Sequence, residues 1–287
     1  MTLRPDNFLQ CIPALEEAHE NGAEKLLRET LAIQRRVLGP EHPDTVDSMS
    51  WLGAVLMVRG SYDEAEKLLR ETVEIRRRVL GPEHHDTLIA RTNLANVLME
   101  EKSYREAEKL TRDALAVQQR LLGADHPDTL NSRNILVTLL AMEGNYTEAE
   151  KLLRENLPIQ QRVLGPEHQR TLDSEAGIAW FLTKQGRYTE AEKSLRKTCA
   201  VYQRAYGPEN PFTAHCTYQL AGLAAAQGLP RRALLLLLQA VDHGLAQDTA
   251  MNMEQDDDLR SLRGNPGFAA VVAHAKQVAV QHTTNQR

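Results

Sequence analysis

The sequence is poor in the residue types that build disulfide frameworks, metal knuckles and membrane spans. Its three cysteines, Cys11, Cys199 and Cys216, are odd in number and widely spaced, which argues against a disulfide framework or a zinc knuckle. We therefore expect reduced thiols and a cytoplasmic location. The longest apolar run, 233–238, is far shorter than the roughly 20 residues of a membrane-spanning helix. Residues 1–21 lack the apolar core of a signal peptide.

The sequence also has no excess of positive charge and no motif typical of an enzyme. The formal net charge of −5 gives no overall positive field that would attract nucleic acid. The sequence contains no Gly-rich phosphate loop, no nucleophile elbow and no His-Glu-x-x-His motif. We therefore predict that the protein is not an enzyme, needs no cofactor or metal, and has neither nucleic acid nor a membrane as a partner.

One eight-residue segment recurs at a constant spacing. Its first copy is Leu38-Gly39-Pro40-Glu41-His42-Pro43-Asp44-Thr45. The five copies begin at residues 38, 80, 122, 164 and 206, which is a period of 42 residues. An unbroken period of this size predicts a protein of stacked repeats.

Each repeat reads as two helices joined by a short turn. In the second repeat the pattern predicts helices over about Pro43–Arg59 and Tyr62–Leu80, with the recurring segment ending the second helix and starting the next. Each second helix carries a glutamate four residues before an arginine, as in Glu66 and Arg70, the favourable order for a helix pair. Pro158 falls inside a second helix, where we expect a local kink.

The repeat resembles a known family. The residues that carry the resemblance to the tetratricopeptide repeat signature are Leu52, Gly53, Gly60, Tyr62, Ala65 and Leu69. The 42-residue period and the Leu-Gly-x-x-His-Pro loop resemble the kinesin-light-chain type of that repeat. The resemblance covers roughly residues 21–239. It implies an all-α fold, a right-handed superhelical solenoid of antiparallel helix pairs, in which the first helix of each pair lines a concave groove that receives a peptide from a partner.

The chain then divides into three parts. We predict an N-terminal capping segment with a degenerate first helix over 1–20, a repeat array over 21–245, and a linker with a capping helix over 246–287. The array holds about five full repeats after a leading half-repeat. The closing string Asp-Leu-x-x-Leu-Arg-x-x-Pro-x-Phe, from Asp258 to Phe268, resembles a segment that follows tetratricopeptide arrays in bacteria, some of them attached to kinases.

The C-terminal part carries two further expectations. The helix over Arg231–Val241 is so apolar that it should be buried nearly all round. An amphipathic helix over about Pro266–Gln281 should close the array with a polar outer face.

The resemblance places the ligand contacts on the first helices, at positions that point away from both packed neighbours. Asparagine amides there can donate to and accept from a peptide backbone, although an exposed polar face is the simpler alternative. Trp180 and Tyr218 suit apolar anchors with polar tips. Lys184 is the only basic residue of the set, so a clamp for a C-terminal carboxylate is not expected. The residues predicted to line the groove are Ser50, Trp51, Thr92, Asn93, Asn96, Asn131, Asn134, Thr138, Trp180, Lys184 and Tyr218.

Four loop histidines could suggest a metal site. Successive copies lie one repeat apart, on the order of 10 Å or more, which is too far to share one ion. We therefore expect each to cap or pack against the next helix. The four are His42, His84, His126 and His168.

These observations predict a non-enzymatic scaffold that binds a peptide or protein segment in its concave groove. The alternative is a regulatory or sensor arm that acts by self-association or with a kinase or another signalling partner. Function is expected on the first helices, where the copies differ, and not in the loops, where they agree.

Overall fold

All regular secondary structure in the part of the chain that the structure describes is helical. The computed structural model describes residues 22–285, so the predicted N-terminal capping segment lies outside the described residues. No helix within that range is both long and apolar enough to cross a bilayer. The helices are α1 Ala23–Val37, α2 Pro43–Val58, α3 Tyr62–Val79, α4 His85–Glu100, α5 Tyr104–Leu121, α6 Pro127–Met142, α7 Tyr146–Val163, α8 Gln169–Lys184, α9 Tyr188–Tyr206, α10 Pro211–Ala226, α11 Pro230–Asp242, α12 Gln247–Asn252 and α13 Pro266–Asn285, with short 3-10 turns at Met253–Gln255 and Asp257–Leu262.

The helices form two compact units that divide between Asn145 and Tyr146. The first unit contains α1 to α6 and the second contains α7 to α13. Within each unit, helices joined by the short turns and loops of the repeat pack side by side. The predicted helix pairs and the closing helix α13 are therefore confirmed, and the all-α fold with them. Helix α7 continues through Pro158, and the kink expected there stays a prediction.

The recurring loop builds each helix start from its own residues. Gly81 ends α3 with a φ of 98°, a left-handed conformation that glycine adopts without steric cost. Three residues later, His84 Nδ1 accepts a hydrogen bond from the Asp86 N–H, at 3.2 Å, and caps α4. The capping role expected for the loop histidines is confirmed, and the same bond forms at His42, His126 and His168. In the fifth copy Asn210 replaces histidine and caps α10 in the same way.

A buried threonine closes the loop in four copies but not in one. Thr87 Oγ1 donates to the Gly81 carbonyl at 2.8 Å. The same bond joins Thr45 to Gly39, Thr171 to Gly165 and Thr213 to Gly207. Thr129 is equally buried, yet its hydroxyl has no partner among the described residues.

This difference gives a matched pair of substitutions. Thr87→Val will lower the free energy of unfolding by about 1 kcal/mol, because it removes a hydrogen bond and leaves the Gly81 carbonyl without that donor. Thr129→Val will be neutral or slightly stabilising, because its hydroxyl is already unpaired. Urea unfolding of both variants measures the contrast, and equal losses would contradict it.

Close helix contact explains the glycine at position 53 of α2. A Cβ added at Gly53 would lie 2.9 Å from Leu69 Cγ, closer than packed carbon atoms come. Leu69 is fully buried in the core of the first unit, next to Leu52 and Ala65. Helices α2 and α3 therefore approach closely at this point, which leaves no room for a larger side chain.

The second helices are linked by ion pairs. The predicted glutamate–arginine pairs four residues apart form in all five copies. In the first unit the pairs extend further, because Arg28 also contacts Glu64 and Arg70 also contacts Glu106 in the following repeat. The arginines of these pairs are exposed, whereas the glutamates four residues before them are half-buried or, at Glu150, buried. Solvent still screens the pairs, so each contributes on the order of 1 kcal/mol.

The last of these glutamates has the strongest electrostatic environment. Hydrogen bonds from Arg232 and then from Arg196 lower the pKa of Glu192 to about 2. Because the carboxyl has a lower pKa in the folded protein than in the unfolded chain, its contribution is complete above about pH 4.5 and disappears as the pH falls towards 2.

Glu192→Gln will therefore destabilise the protein in a pH-dependent way. At pH 7 we expect a loss of about 1–2 kcal/mol, after allowance for the solvent that screens a partly exposed pair. The difference from wild type will shrink between pH 4.5 and 2. Thermal unfolding across this range measures it, and a loss that is constant with pH would contradict the assignment.

The two cysteines of the second unit form a disulfide bond, so the prediction of reduced thiols is wrong for this pair. Cys199 lies on α9 and Cys216 on α10, with a sequence separation of 17 and a Cα–Cα distance of 5.5 Å. The loop between the helices folds α10 back against α9, which brings together two residues that are not close in sequence.

Helix α11 and the closing helix are less enclosed than expected. Leu237 is fully buried, but Leu235 is 70% exposed and Leu238 is 39% exposed, so the prediction of burial all round is wrong. The reason is that α13 covers only one side of α11. The outer face of α13 is less polar than expected, because it exposes Ala269, Ala270 and Ala273 as well as Gln277.

Candidate functional site

The predicted groove residues on α2 are more enclosed than expected. Ser50 is 1% exposed, and its hydroxyl donates to the Val46 carbonyl of its own helix at 3.1 Å. Trp51 is partly exposed and packs against the core of the first unit. Trp51 therefore offers a surface to a ligand, while Ser50 offers none in this structure.

On α4 the predicted residues are also buried, and two of them lack partners. The Thr92 hydroxyl donates to the Leu88 carbonyl at 3.0 Å. Asn93 Nδ2 and Asn96 Oδ1 are inaccessible to solvent and have no hydrogen-bond partner among residues 22–285. Beneath the surface, α4 therefore holds one unpaired donor and one unpaired acceptor, on residues three apart in the helix. Buried polar groups without a partner are uncommon in folded proteins.

A small polar cleft opens beside Asn93. Its volume is about 10 Å³, roughly the room for one small polar group. Helices α4, α5 and α6 all contribute polar side chains to it. The cleft is lined by Ile89, Thr92, Asn93, Gln118, Asp128, Asn131 and Ser132.

The predicted residues on α6 lie closer to solvent. Asn131 and Asn134 are both partly exposed, and Thr138 is exposed. The Thr138 hydroxyl donates to the Asn134 carbonyl at 3.2 Å. These residues, together with Trp51, make up the accessible polar surface of the predicted groove in the first unit.

Sequence reasoning missed a buried arginine beneath this surface. Arg76 on α3 is 5% exposed. It donates to Asp47 Oδ1 at 2.6 Å and to the Asp86 carbonyl at 3.1 Å, which fixes Asp47 on the first-helix face. The repeat did contain a signal, because a polar or hydrogen-bonding residue recurs at this position of the second helix in five repeats. The five are Gln34, Arg76, Gln118, Gln160 and Tyr202.

The second unit brings the last three predicted residues together around a cavity of about 420 Å³. Trp180 and Lys184 come from α8, and Tyr218 comes from α10. The Lys184 ammonium lies 4.9 Å from the centre of the Trp180 ring, within the range of a cation–π contact. Tyr218 is 6% exposed and stacks on His215.

The polar atoms of Trp180, Lys184 and Tyr218 already form hydrogen bonds with the C-terminal part of the chain. Trp180 Nε1 donates to Asp258 Oδ2 at 2.5 Å, and the Lys184 ammonium also donates to Asp258. The Tyr218 hydroxyl donates to Asp256 Oδ2 at 2.6 Å. The acidic turn that holds these aspartates had been predicted only as a cap, so its part in this site is a finding of the structure.

The turn is anchored by apolar side chains. Met253, Leu259 and Leu262 are almost fully buried in the core formed with α10, α11 and α13. Because these anchors flank Asp256 and Asp258, the aspartates form a fixed wall of the cavity. The polar tips of Trp180 and Lys184 therefore belong to the internal structure of the second unit.

Burial shifts the pKa values of Tyr218, Asp173 and His215 in this region. Burial, followed by the hydrogen bond to Asp256, raises the pKa of Tyr218, so its hydroxyl stays a donor at neutral pH. Burial also raises the pKa of Asp173, while the hydrogen bond from Tyr202 opposes that shift. Desolvation lowers the pKa of His215, although its side chain is still exposed to solvent.

The described residues contain no group of three or more histidine, cysteine or acidic side chains that could hold a metal ion. In place of such a cluster, the predicted groove residues offer amides and hydroxyls, with the aromatic ring of Trp51 in the first unit and those of Trp180 and Tyr218 in the second. This donor set suits hydrogen bonding to a backbone and contact with apolar side chains.

Family models match most of the chain. A tetratricopeptide repeat model matches residues 44–99, 86–155, 133–202 and 177–243, and a second tetratricopeptide repeat model matches residues 19–44. The chain therefore belongs to the tetratricopeptide repeat family. No significant match is found among curated proteins.

Comparison with solved structures identifies the type of tetratricopeptide repeat that the chain contains. A kinesin-light-chain-type protein of nearly identical TPR-like repeats from Podosopora anserina is 28% identical, with a TM-score of 0.60, and the match covers 71% of this chain and 99% of that one. BtubC (BKLC) from P. vanneervenii is 17% identical with a TM-score of 0.62, covering 83% and 92% of the two chains. The peptide complex of NprR is 12% identical with a TM-score of 0.54, covering 98% and 74%. The repeats are thus of the kinesin-light-chain-like form.

Proposed function

We propose that this protein is a non-enzymatic interaction scaffold that binds a peptide or protein segment on the first-helix surface of its first unit. The ligand lies along α4 and α6, where Asn131, Asn134 and Thr138 are accessible. Trp51 on α2 supplies an aromatic contact for an apolar side chain of the ligand.

The unpaired amide atoms of α4 are the observation that carries this proposal. Asn93 Nδ2 lacks an acceptor and Asn96 Oδ1 lacks a donor. A peptide backbone offers one carbonyl acceptor and one N–H donor in every residue, so it complements both atoms. The Asn93 side chain reaches the ligand through the cleft that it shares with Asn131.

Proteins of the same fold support this proposal. NprR has been solved in complex with its cognate peptide NprX, and a Rap protein has been solved in complex with competence and sporulation factor. They are 12% and 14% identical to this chain, so they share its fold. Tetratricopeptide repeat proteins are typically scaffolds without catalysis, which supports a non-enzymatic function here.

A screen of a displayed peptide library tests the proposal directly. We expect wild type to enrich a peptide family, and Asn93→Ala/Asn134→Ala to lose binding to it by at least tenfold. Asn252→Ala, an exposed asparagine of α12, is the matched control and should bind like wild type. Circular dichroism should show the same helicity in all three proteins.

Two results would overturn the proposal. One is that wild type enriches no peptide family. The other is that the asparagine double variant binds the enriched peptides as tightly as wild type does. In the second case the ligand binds elsewhere and the groove assignment is wrong.

The cytoplasmic location stays a prediction. It was based on unpaired cysteines, and the Cys199–Cys216 disulfide weakens that basis, because structural disulfides persist mainly in oxidising compartments. Fractionation of native cells, with thiol labelling of the captured protein, would decide it.

A further inference from the structure

Helix α11 departs from the other second helices at the positions that face solvent. In five copies the second helix carries Glu-Lys-x-x-Arg, as at Glu66, Lys67 and Arg70. In α11 all three polar positions are leucine. The replacements are Leu234, Leu235 and Leu238.

Neighbouring helices cover only one of these three leucines, Leu234. A Cβ added at Gly267 would lie 2.8 Å from Leu234 Cδ1, so α13 packs closely over Leu234. On the other side, Arg232 bonds to Glu192 of α9 at 2.6 Å. Between these two contacts, Leu235 and Leu238 form an outward ridge, with 70% and 39% of their surfaces exposed. Leucines on an outward ridge gain nothing in an isolated chain, because water contacts them in both the folded and the unfolded state.

Charged residues flank the two leucines in a symmetrical order. Arg231 lies four residues before Leu235, and Asp242 lies four residues after Leu238. At 3.6 residues per turn, all four side chains share one stripe of the helix. Arg231 is exposed, and the Asp242 side chain is 51% exposed beside His274.

This order complements itself when the helix is reversed. If two α11 helices pack antiparallel about a twofold axis, Leu235 of one copy faces Leu238 of the other. Arg231 of each copy then faces Asp242 of the other, which places opposite charges at both ends of the contact. A twofold contact of this kind is isologous and closes on itself as a dimer.

We propose that a second copy of this chain covers the α11 ridge in an antiparallel, isologous contact. Helix α13, which packs over Leu234, also exposes Ala270 and Ala273. The contact is small compared with a standard protein interface of about 1,600 Å². The dimer is therefore weak and forms in a concentration-dependent manner.

Light scattering coupled to size exclusion tests the proposal over a series of protein concentrations. The mass of wild type should rise from the 32.2 kDa of one chain towards twice that value. Leu235→Lys/Leu238→Arg should keep the mass of one chain throughout, with a dissociation constant at least tenfold weaker. These substitutions restore the residues that the other five copies carry on the solvent side, so the thermal unfolding temperature should not fall.

A charge exchange tests the antiparallel arrangement. Arg231→Asp and Asp242→Arg should each weaken the dimer, because each places like charges opposite one another. The double exchange should restore it, since the two charges still face each other with their signs reversed. Wild type that stays at the mass of one chain would overturn the proposal, and so would a dimer that tolerates the two leucine replacements. A double exchange that fails to restore association would exclude the antiparallel pairing.

Discussion

Cys199→Ala/Cys216→Ala will lower the free energy of unfolding by about 3 kcal/mol. The disulfide closes a loop of 17 residues, and in the chain-entropy model a loop of about that length stabilises the folded state by roughly 3 kcal/mol. Cys216 is 1% exposed and packs with Leu172 and Leu195 in the core of the second unit. The smaller alanine side chains therefore add a packing loss to the loss of the covalent bond. Urea unfolding without reductant measures the total.

Thiol counting provides the control. In denaturant without reductant, the wild-type chain should show one reactive thiol, that of Cys11, and after reduction it should show three. Wild type unfolded in the presence of reductant should lose most of its advantage over the double variant. Three reactive thiols before reduction would contradict the disulfide itself.

Asp258→Ala is expected to loosen the acidic turn from the cavity of the second unit. The Asp258 carboxylate accepts hydrogen bonds from both Trp180 and Lys184. Its removal leaves two donors without their acceptor, so we expect a loss of about 2–3 kcal/mol in the free energy of unfolding. The Trp180 ring will become more exposed to water, which moves its fluorescence emission to longer wavelength.

The neighbouring residue is a matched control for this substitution. The Asp257 side chain is 82% exposed, and its contact with Arg263 is long, at 3.5 Å. Asp257→Ala should therefore change stability by no more than about 0.5 kcal/mol, with unchanged fluorescence. Equal effects of the two substitutions would contradict the role of Asp258, and an unchanged emission maximum in Asp258→Ala would contradict its contact with Trp180.

Sequence reasoning succeeded where structure depends on residues close together in the chain. The loop histidines cap the following helix through a bond of two residues, as from His84 to Asp86. The glutamate–arginine pairs and the contact of Gly53 with Leu69 follow from helical spacing and from the repeat itself. Most of these features recur from copy to copy, so comparison of the copies reveals them.

Features that depend on residues distant in the chain could not be predicted in this way. The bond from Trp180 to Asp258 spans 78 residues and depends on how the C-terminal turn packs, which no repeat records. The disulfide depends on the rotation of α9 against α10. Likewise, the burial of Asn93 and Asn96 is set by the neighbouring helices, and helical spacing alone gave only the face on which they lie.

Each loop is closed by hydrogen bonds between its own residues, and this affects the order in which parts of the chain can fold. The bonds that close each loop, such as Thr87 to Gly81, join residues at most six positions apart. Contacts this local form early, since little chain entropy is lost in closing them. The bonds of Asp258 must wait for α8 and the turn to meet across more than 70 residues. Folding can thus begin in any repeat, and the acidic turn should be among the last elements to dock and the first to detach.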